Sequence, residues 1–277
     1  MRYRLLDTLR GFSLVSMILY HICWDLVNLC HFDWRWFQGT AGHVWQQSIC
    51  WGFILISGFC MGLKNGKENS RRSYKRGTLV LAAGVLISAA TLLFTPESPI
   101  IFGILFFLGS AMLLTTALLP LLRKCYGGIG LLLTGLLFFL LRNINEETLG
   151  FENLIFCRLP ESWYRHGLPA TFFGLQDRDF FSTDYFSLIP WYFLFLAGYF
   201  LCRYIVENNG QTENGWQPDY DEQPEKKGNP EKNAALPAGF TKGIPFLEIL
   251  GKHSLLIYLL HQPVILFLLS VILKPAV

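Results

Sequence analysis

Charge is what this sequence has least of: 16% of its 277 residues are Asp, Glu, Lys or Arg, where a soluble domain carries roughly a quarter. Together with a hydrophobic share of 52%, that deficit excludes disorder over most of the chain, because disordered segments are poor in apolar residues and rich in charge. Cysteine is ordinary at 7 residues, with no Cys-x-x-Cys pair and no metal-ligand spacing, so neither a disulfide scaffold nor a structural metal site is indicated. The net charge of +3 does not point to nucleic acid either. The cations stand between apolar runs instead of forming a phosphate-binding stripe. No internal repeat recurs at a fixed period. The first apolar run is too long for a signal peptide and has no small-residue cleavage site, so it reads as a retained first span.

What is there is a succession of apolar runs of membrane-crossing length. They fall at about 6–27, 44–63, 78–95, 100–121, 128–142, 186–205 and 253–273, each close to the ~20 residues that a helix needs to cross a bilayer. The fold class is therefore all-α, a polytopic transmembrane helix bundle of about seven spans forming one domain over 1–277. Placing the N-terminus inside puts 17 of the 23 Lys and Arg on the inner side, including the short stretch 64–76. That bias sets the N-terminus inside and the C-terminus outside, in a multi-pass cytoplasmic-membrane protein.

Two connections are long. Residues 207–243 are rich in Gly, Pro, Asn and charge, the composition of a disordered cytoplasmic loop. Residues 143–185, on the outer side, are dense in Phe, Trp and Tyr, and are expected to pack on the bundle or dip into the interface. Cys30 and Cys157 both fall on the outer side, which leaves a disulfide between them open.

The first span, LLDTLRGFSLVSMILYHICWDLVN, carries ionisable residues that hydrocarbon disfavours. At roughly 100° per residue, Arg10 falls about 60° and His21 about 40° to one side of Asp7, and Asp25 returns almost directly into line with it. Four ionisable groups thus share one face, with Arg10 and His21 about 16–17 Å apart along the axis. A charge at the bilayer centre costs at least ~2.5–3.5 kcal/mol, so this face must turn to other helices or to a wet cavity. Asp7 with Arg10 reads as a structural pair at i,i+3. His21 with Asp25, at i,i+4, reads as an imidazole oriented by a carboxylate.

Other histidines are less telling. His31, in CHFDWRWF just past the span, and His43 and His166 suit interfacial or surface positions. In the last run, LGKHSLLIYLLHQP, His261 either satisfies backbone freed by Pro263 or lines the same cavity as His21. The inner stretch KNGKENSRRSYKRG gathers six cations, which suits anchoring against anionic lipid or the docking of a phosphorylated ligand.

Four stretches in order resemble the heparan-alpha-glucosaminide N-acetyltransferase catalytic-domain family, in particular its small bacterial members. They are LLDTLRGFSLVSMILYHICWDL, the run from RGTLVLAAG to FGILFFLGSAMLL, DYFSLIPWYFLFLAGY and LGKHSLLIYLLHQP. The Arg10-to-His21 spacing is also that of the broader transmembrane acyltransferases. The resemblance implies transfer of an acyl group, typically acetyl, from cytosolic acetyl-CoA to a hydroxyl or amine of an extracytoplasmic glycan or glycolipid. It makes His31, with Trp34 in the family's His-x-x-Trp context, and His21, oriented by Asp25, rival catalytic bases. Arg10 with Arg71, Arg72, Lys75 and Arg76 is expected to hold the phosphates of CoA, the pantetheine arm running along the wet face of the first span. Asp184, Tyr185 and Trp191 at the outer rim, and His261, are expected to meet the acceptor. Phe106 stands where the bacterial pattern has His. No metal and no nucleic acid is expected; membrane lipid and the acceptor are the partners, with a homo-oligomer left open. The alternative is a transporter or flippase for a glycan or lipid that uses the stripe for proton coupling.

Overall fold

A bilayer offers backbone groups no water, so a chain that crosses it must pair every N–H and C=O internally, and an apolar run long enough to cross becomes a helix. The computed structural model, which describes residues 3–63, 67–210 and 236–272, follows that rule. Its chain is 75% helical. The helices are α1 (Arg4–Asn28), α2 (Arg35–Gln38), α3 (Thr40–Gly62), α4 (Lys67–Phe94), α5 (Ile104–Leu122), α6 (Gly127–Leu141), α7 (Gly167–Phe173), α8 (Leu188–Gly210), α9 (Pro245–Lys252) and α10 (Ser254–Ile272). Seven of them, α1, α3, α4, α5, α6, α8 and α10, are long and apolar enough to cross a membrane. They coincide with the seven runs expected from the sequence, and the protein is a multi-pass membrane protein.

The most enclosed span is α8. Its Trp191, Phe195, Tyr199 and Phe200 are buried against Ile54 and Met61 of α3, Phe107, Ala111 and Met112 of α5 and Phe138 of α6. Close approach there depends on missing side chains: a Cβ on Gly58 of α3 would strike the carbonyl of Phe195, and one on Gly198 of α8 the carbonyl of Leu55. At the other extreme, Ile265 is the only buried residue of α10 among those described. That helix leans on α1 and touches little else.

Packing of α4 on α5 sets the depth of the chain that links them. Gly84 lies against the backbone of Phe106 and Gly109 against Leu81, so the two helices run antiparallel with Ile104 level with about residue 86. Eight further residues carry α4 to Phe94, so α5 begins about 12 Å below that end at 1.5 Å per residue. The chain between them comes down with a second loop: Phe102 O accepts from Phe186 N, Pro99 O from Thr183 N, and the Ser182 hydroxyl accepts from Ile101 N.

Residues 143–187 form a cap on the end of the bundle away from the N-terminus. It contains an antiparallel hairpin, β1 (Thr148–Phe151) and β2 (Leu154–Arg158), with a bulge at Leu149/Gly150. Phe102, Phe106, Phe172 and Phe180 cluster beneath it, so the aromatic density of this stretch serves packing on the bundle. Of the stretch 207–243, the first residues continue α8 to Gly210. The last are fixed by buried Leu236 and by Phe240, which stacks on Phe59. Residues 211–235 lie outside the described residues. Cys30 and Cys157 are both free thiols, so no disulfide joins them.

Candidate active site

The ionisable face of α1 divides into two polar ends with an apolar middle. At the N-terminal end, Arg10 donates from Nη1 to Asp7 Oδ1 at 3.2 Å and from Nη2 to Cys60 Sγ of α3 at 2.7 Å. Arg76 of α4 lies within electrostatic range of Arg10, Asp7 and Cys60. The other expected cations sit further round α4, where Arg71, Arg72, Tyr74 and Lys75 line an open groove of about 380 Å³. Guanidinium groups suit phosphate through forked, charge-assisted hydrogen bonds.

At the far end, α10 supplies a partner to each polar residue of α1. The His21 ring lies 4.8 Å from that of His261, centroid to centroid. Asp25, wholly buried, accepts from Gln262 Nε2 at 3.1 and 3.0 Å on its two oxygens. The expected His21–Asp25 pair is therefore not what forms. Both side chains point at the same neighbouring helix, and each meets its own consecutive residue there instead of bridging along α1.

Hydrogen-bond partners fix the state of His261. Its Nδ1 is 2.6 Å from the Tyr258 carbonyl, which can only accept, so Nδ1 carries the proton and Nε2 presents a lone pair. That Nε2 is buried with no partner among the described residues, and so is Gln262 Oε1. Two acceptors beside His21 are left wanting donors, at a cost of about 1–3 kcal/mol each. A hydroxyl, with one O–H, can satisfy one of them, and an amine, with two N–H, both.

Between the two ends, on the same face, stand Leu14 and Met17, 0% and 4% exposed, packed with Ile49 of α3 and with Ile257 and Tyr258 of α10. The expected wet path along α1 is thus closed by an apolar plug. Helical spacing places Leu14 and Met17 on the stripe as firmly as Arg10 and His21, and apolar neighbours on α3 and α10 make their burial favourable.

The remaining expected residues fall in three places. Asp184 lies on the descending loop, where its Oδ2 accepts from Ile104 N at 3.1 Å and caps α5. Burial pushes its carboxyl up to about 6, against the lowering effect of that hydrogen bond. It also lies within electrostatic range of Cys50 and Tyr258. Asp184 therefore links the descending loop to the start of α5 near α3 and α10. Tyr185 gives its hydroxyl to the Thr171 carbonyl at 2.5 Å, and burial pushes that hydroxyl further up. Trp191 is 4% exposed, covered by the Arg142 guanidinium at 4.8 Å and by Phe138 and Phe186. Trp191 is covered too fully to stack on a sugar, while half-buried Tyr185 ties its loop to α7 within the cap. The expectation of a rim position rests on aromatic residues near a span end suiting the interface, and nothing in the sequence reveals that Arg142 covers the ring.

His31 stays apart. It sits exposed on the turn after α1 with φ 58°, and among the described residues no hydrogen bond or ring contact joins it to His21, Asp25 or His261. Phe106, half-buried, packs on Phe102 and Phe172. Sequence reasoning misses Gln262 and Cys60 as functional partners; only the neighbouring Pro263 hints that polar groups gather on α10, and nothing singles out Cys60. Among the described residues no cluster of His, Cys, Asp and Glu could hold a metal ion.

One family model, described as heparan-alpha-glucosaminide N-acetyltransferase, catalytic, matches residues 2–225. The match takes in α1 to α8 and stops short of α9 and α10, so His261 and Gln262 lie beyond it. No curated protein and no solved structure matches the chain.

Proposed function

The chain belongs to the heparan-alpha-glucosaminide N-acetyltransferase catalytic family, a family of transmembrane acetyltransferases, and from that premise we propose how this member works. It takes acetyl from acetyl-CoA on the N-terminal side of the cytoplasmic membrane and delivers it to a hydroxyl or amine of a glycan or glycolipid on the far side. The observation that carries this is the layout of α1: guanidinium groups at Arg10 and Arg76 mark one end of a face whose other end is the His21–His261 pair. About 16–17 Å of helix separates Arg10 from His21, a distance that a pantetheine arm spans.

In this reading Arg71, Arg72 and Lys75 with Arg76 and Arg10 hold the phosphates of the donor, and the arm passes Leu14 and Met17 as the plug parts. The acceptor comes down from the cap side toward Asp184. Its hydroxyl or amine donates to the lone pair of His261 Nε2, and an amine can donate a second bond to Gln262 Oε1, which the buried Asp25 keeps in register through Gln262 Nε2. As the acceptor atom attacks the thioester carbonyl, its proton passes to an imidazole of the His21–His261 pair. The carbonyl–sulfur bond then breaks, and CoA leaves as the thiolate and takes up a proton. His31, exposed on its turn, is the base in the arrangement that the family resemblance also allows.

Donor binding is tested by heat. CoA at a hundred times its dissociation constant stabilises the folded state by about 2.7 kcal/mol, which raises the Tm by about 5–10 °C for a chain of this size. Replacing Arg71, Arg72 and Lys75 together by Ala should remove most of that rise. A wild-type Tm indifferent to saturating CoA would refute the donor assignment.

A further inference from the structure

The cap carries a surface that acetyl transfer does not use. Strand β2 buries nothing: Leu154, Ile155 and Phe156 are 52%, 54% and 54% exposed, three apolar residues in a row on a free edge. In water such an edge is an aggregation hazard that proteins blunt with charge or cover. Here it is continuous with another apolar surface. Phe151 of β1 stacks on Phe139 of α6 at 4.9 Å, and Phe156 of β2 reaches the same ring at 6.3 Å. Phe139 ends a row of exposed apolar residues on α6, Leu132, Leu133 and Leu136, the face that a spanning helix turns to lipid. The charges of the hairpin divide in the same sense. Glu152 is engaged by Arg142 and His43, and Glu147 by Arg178. Arg158, at the open end of β2, is exposed and has no ion pair among the described residues.

We propose that β2 is a lipid-embedded anchor, with Leu154, Ile155 and Phe156 in the leaflet on the cap side and Arg158 on its phosphate groups. The free backbone edge of β2 limits the depth. Unpaired N–H and C=O groups are not tolerated in hydrocarbon, so the strand lies at the boundary of headgroups and acyl chains, its edge hydrated and its side chains directed inward. A surface cation beside an apolar patch fits that level, the guanidinium meeting phosphate while the side chains lie below. The anchor fixes the hairpin, and through Glu152 it steadies Arg142, the residue that covers Trp191. The proposal concerns a face remote from His21 and stands whether or not the acetyl-transfer assignment holds.

The test uses the unaltered chain, one copy per phospholipid nanodisc, with a lipid bearing a photoreactive diazirine on its acyl chain. After irradiation and trypsin, the peptide between Arg142 and Arg158 is sequenced by tandem mass spectrometry. Adducts at Leu154, Ile155 and Phe156 should exceed those at the exposed loop 95–98 several-fold and match those on residues 132–136 of α6. Yields on β2 no higher than on 95–98, while α6 is labelled, overturn the proposal. Chain-to-chain cross-links joining the β2 strands of two copies in liposomes overturn it as well, and assign the face to a second copy.

Discussion

Gln262→Leu removes the donor of the buried Asp25 carboxylate while keeping the bulk of the side chain. Two contributions oppose each other. Hydrogen bonds to a charged acceptor are worth about 1.5–3 kcal/mol, and the carboxylate is left buried and unpaired, which on breaking a buried ion pair costs about 3–5 kcal/mol. Against this, the substitution also deletes Gln262 Oε1, an acceptor with no partner among the described residues, which offsets about 1–3 kcal/mol. At the middle of these ranges the carboxylate wins by about 2 kcal/mol, and by up to about 4, because Asp25 is 0% exposed and water cannot replace the lost donor. At about 2–4 °C per kcal/mol for a chain of this size, a loss of about 2 kcal/mol should lower the apparent Tm in detergent by about 4–8 °C. A cycle sharpens the measurement: Asp25→Leu with Gln262→Leu removes both partners and should restore much of the loss, a coupling of about 1.5 kcal/mol or more. A Gln262→Leu protein melting within about 1 °C of wild type, or strict additivity in the double variant, would refute the pairing of α1 with α10 on which the site depends.

Further outcomes follow from other parts of the structure. The raised carboxyl of Asp184, about 6 against an ordinary 3.8, means that the folded state holds this proton more tightly than the unfolded chain does. Its stabilising effect is complete below pH ~4 and is lost as the pH rises through ~6, an upper bound of about 3 kcal/mol. The Tm of wild type relative to Asp184→Asn should accordingly decline between pH 4 and 7 and stay level above; a difference independent of pH contradicts the assignment. Gly84→Val places a Cβ into the backbone of Phe106 and should cost about 3 kcal/mol or more by forcing α4 from α5. A correctly folded variant of wild-type Tm would contradict the register that starts α5 below the end of α4.

Much of the architecture can be read locally, because a crossing helix is a matter of one apolar run and its length. Each of the seven spans is set by its own residues, and all seven form where expected. The arrangement of the site is not local. His21 and Asp25 lie one turn apart, and pairing between them is what one helix can promise. The outcome is decided by α10, which brings His261 and Gln262 to the same face although Gln262 stands 237 residues from Asp25 in the chain. Helical periodicity correctly puts Arg10, His21 and Asp25 on one stripe, but it is silent on what faces that stripe. A wet path is then the natural reading, and only the packing shows Leu14 and Met17 closing its middle. Trp191 misleads for a related reason. Its hydropathy fits an interface, and only the fold brings Arg142 over its ring. The acidic cap of α5 by Asp184 joins loops that are 80 residues apart in sequence, and no spacing rule reaches that far.

Vectorial acetyl transfer through the His21–His261 pair is the central claim, and sealed vesicles test it directly. Acetyl-CoA labelled in the acetyl group is supplied on the side of the chain's N-terminus, and a mixture of hydroxyl- and amine-bearing glycans on the other. Wild type and His31→Ala should deliver label to the glycan, while a variant with both His21→Ala and His261→Ala should deliver none with its response to CoA intact. Full transfer by that double variant, with His31→Ala inactive, would contradict the account and move the chemistry to the turn beyond α1.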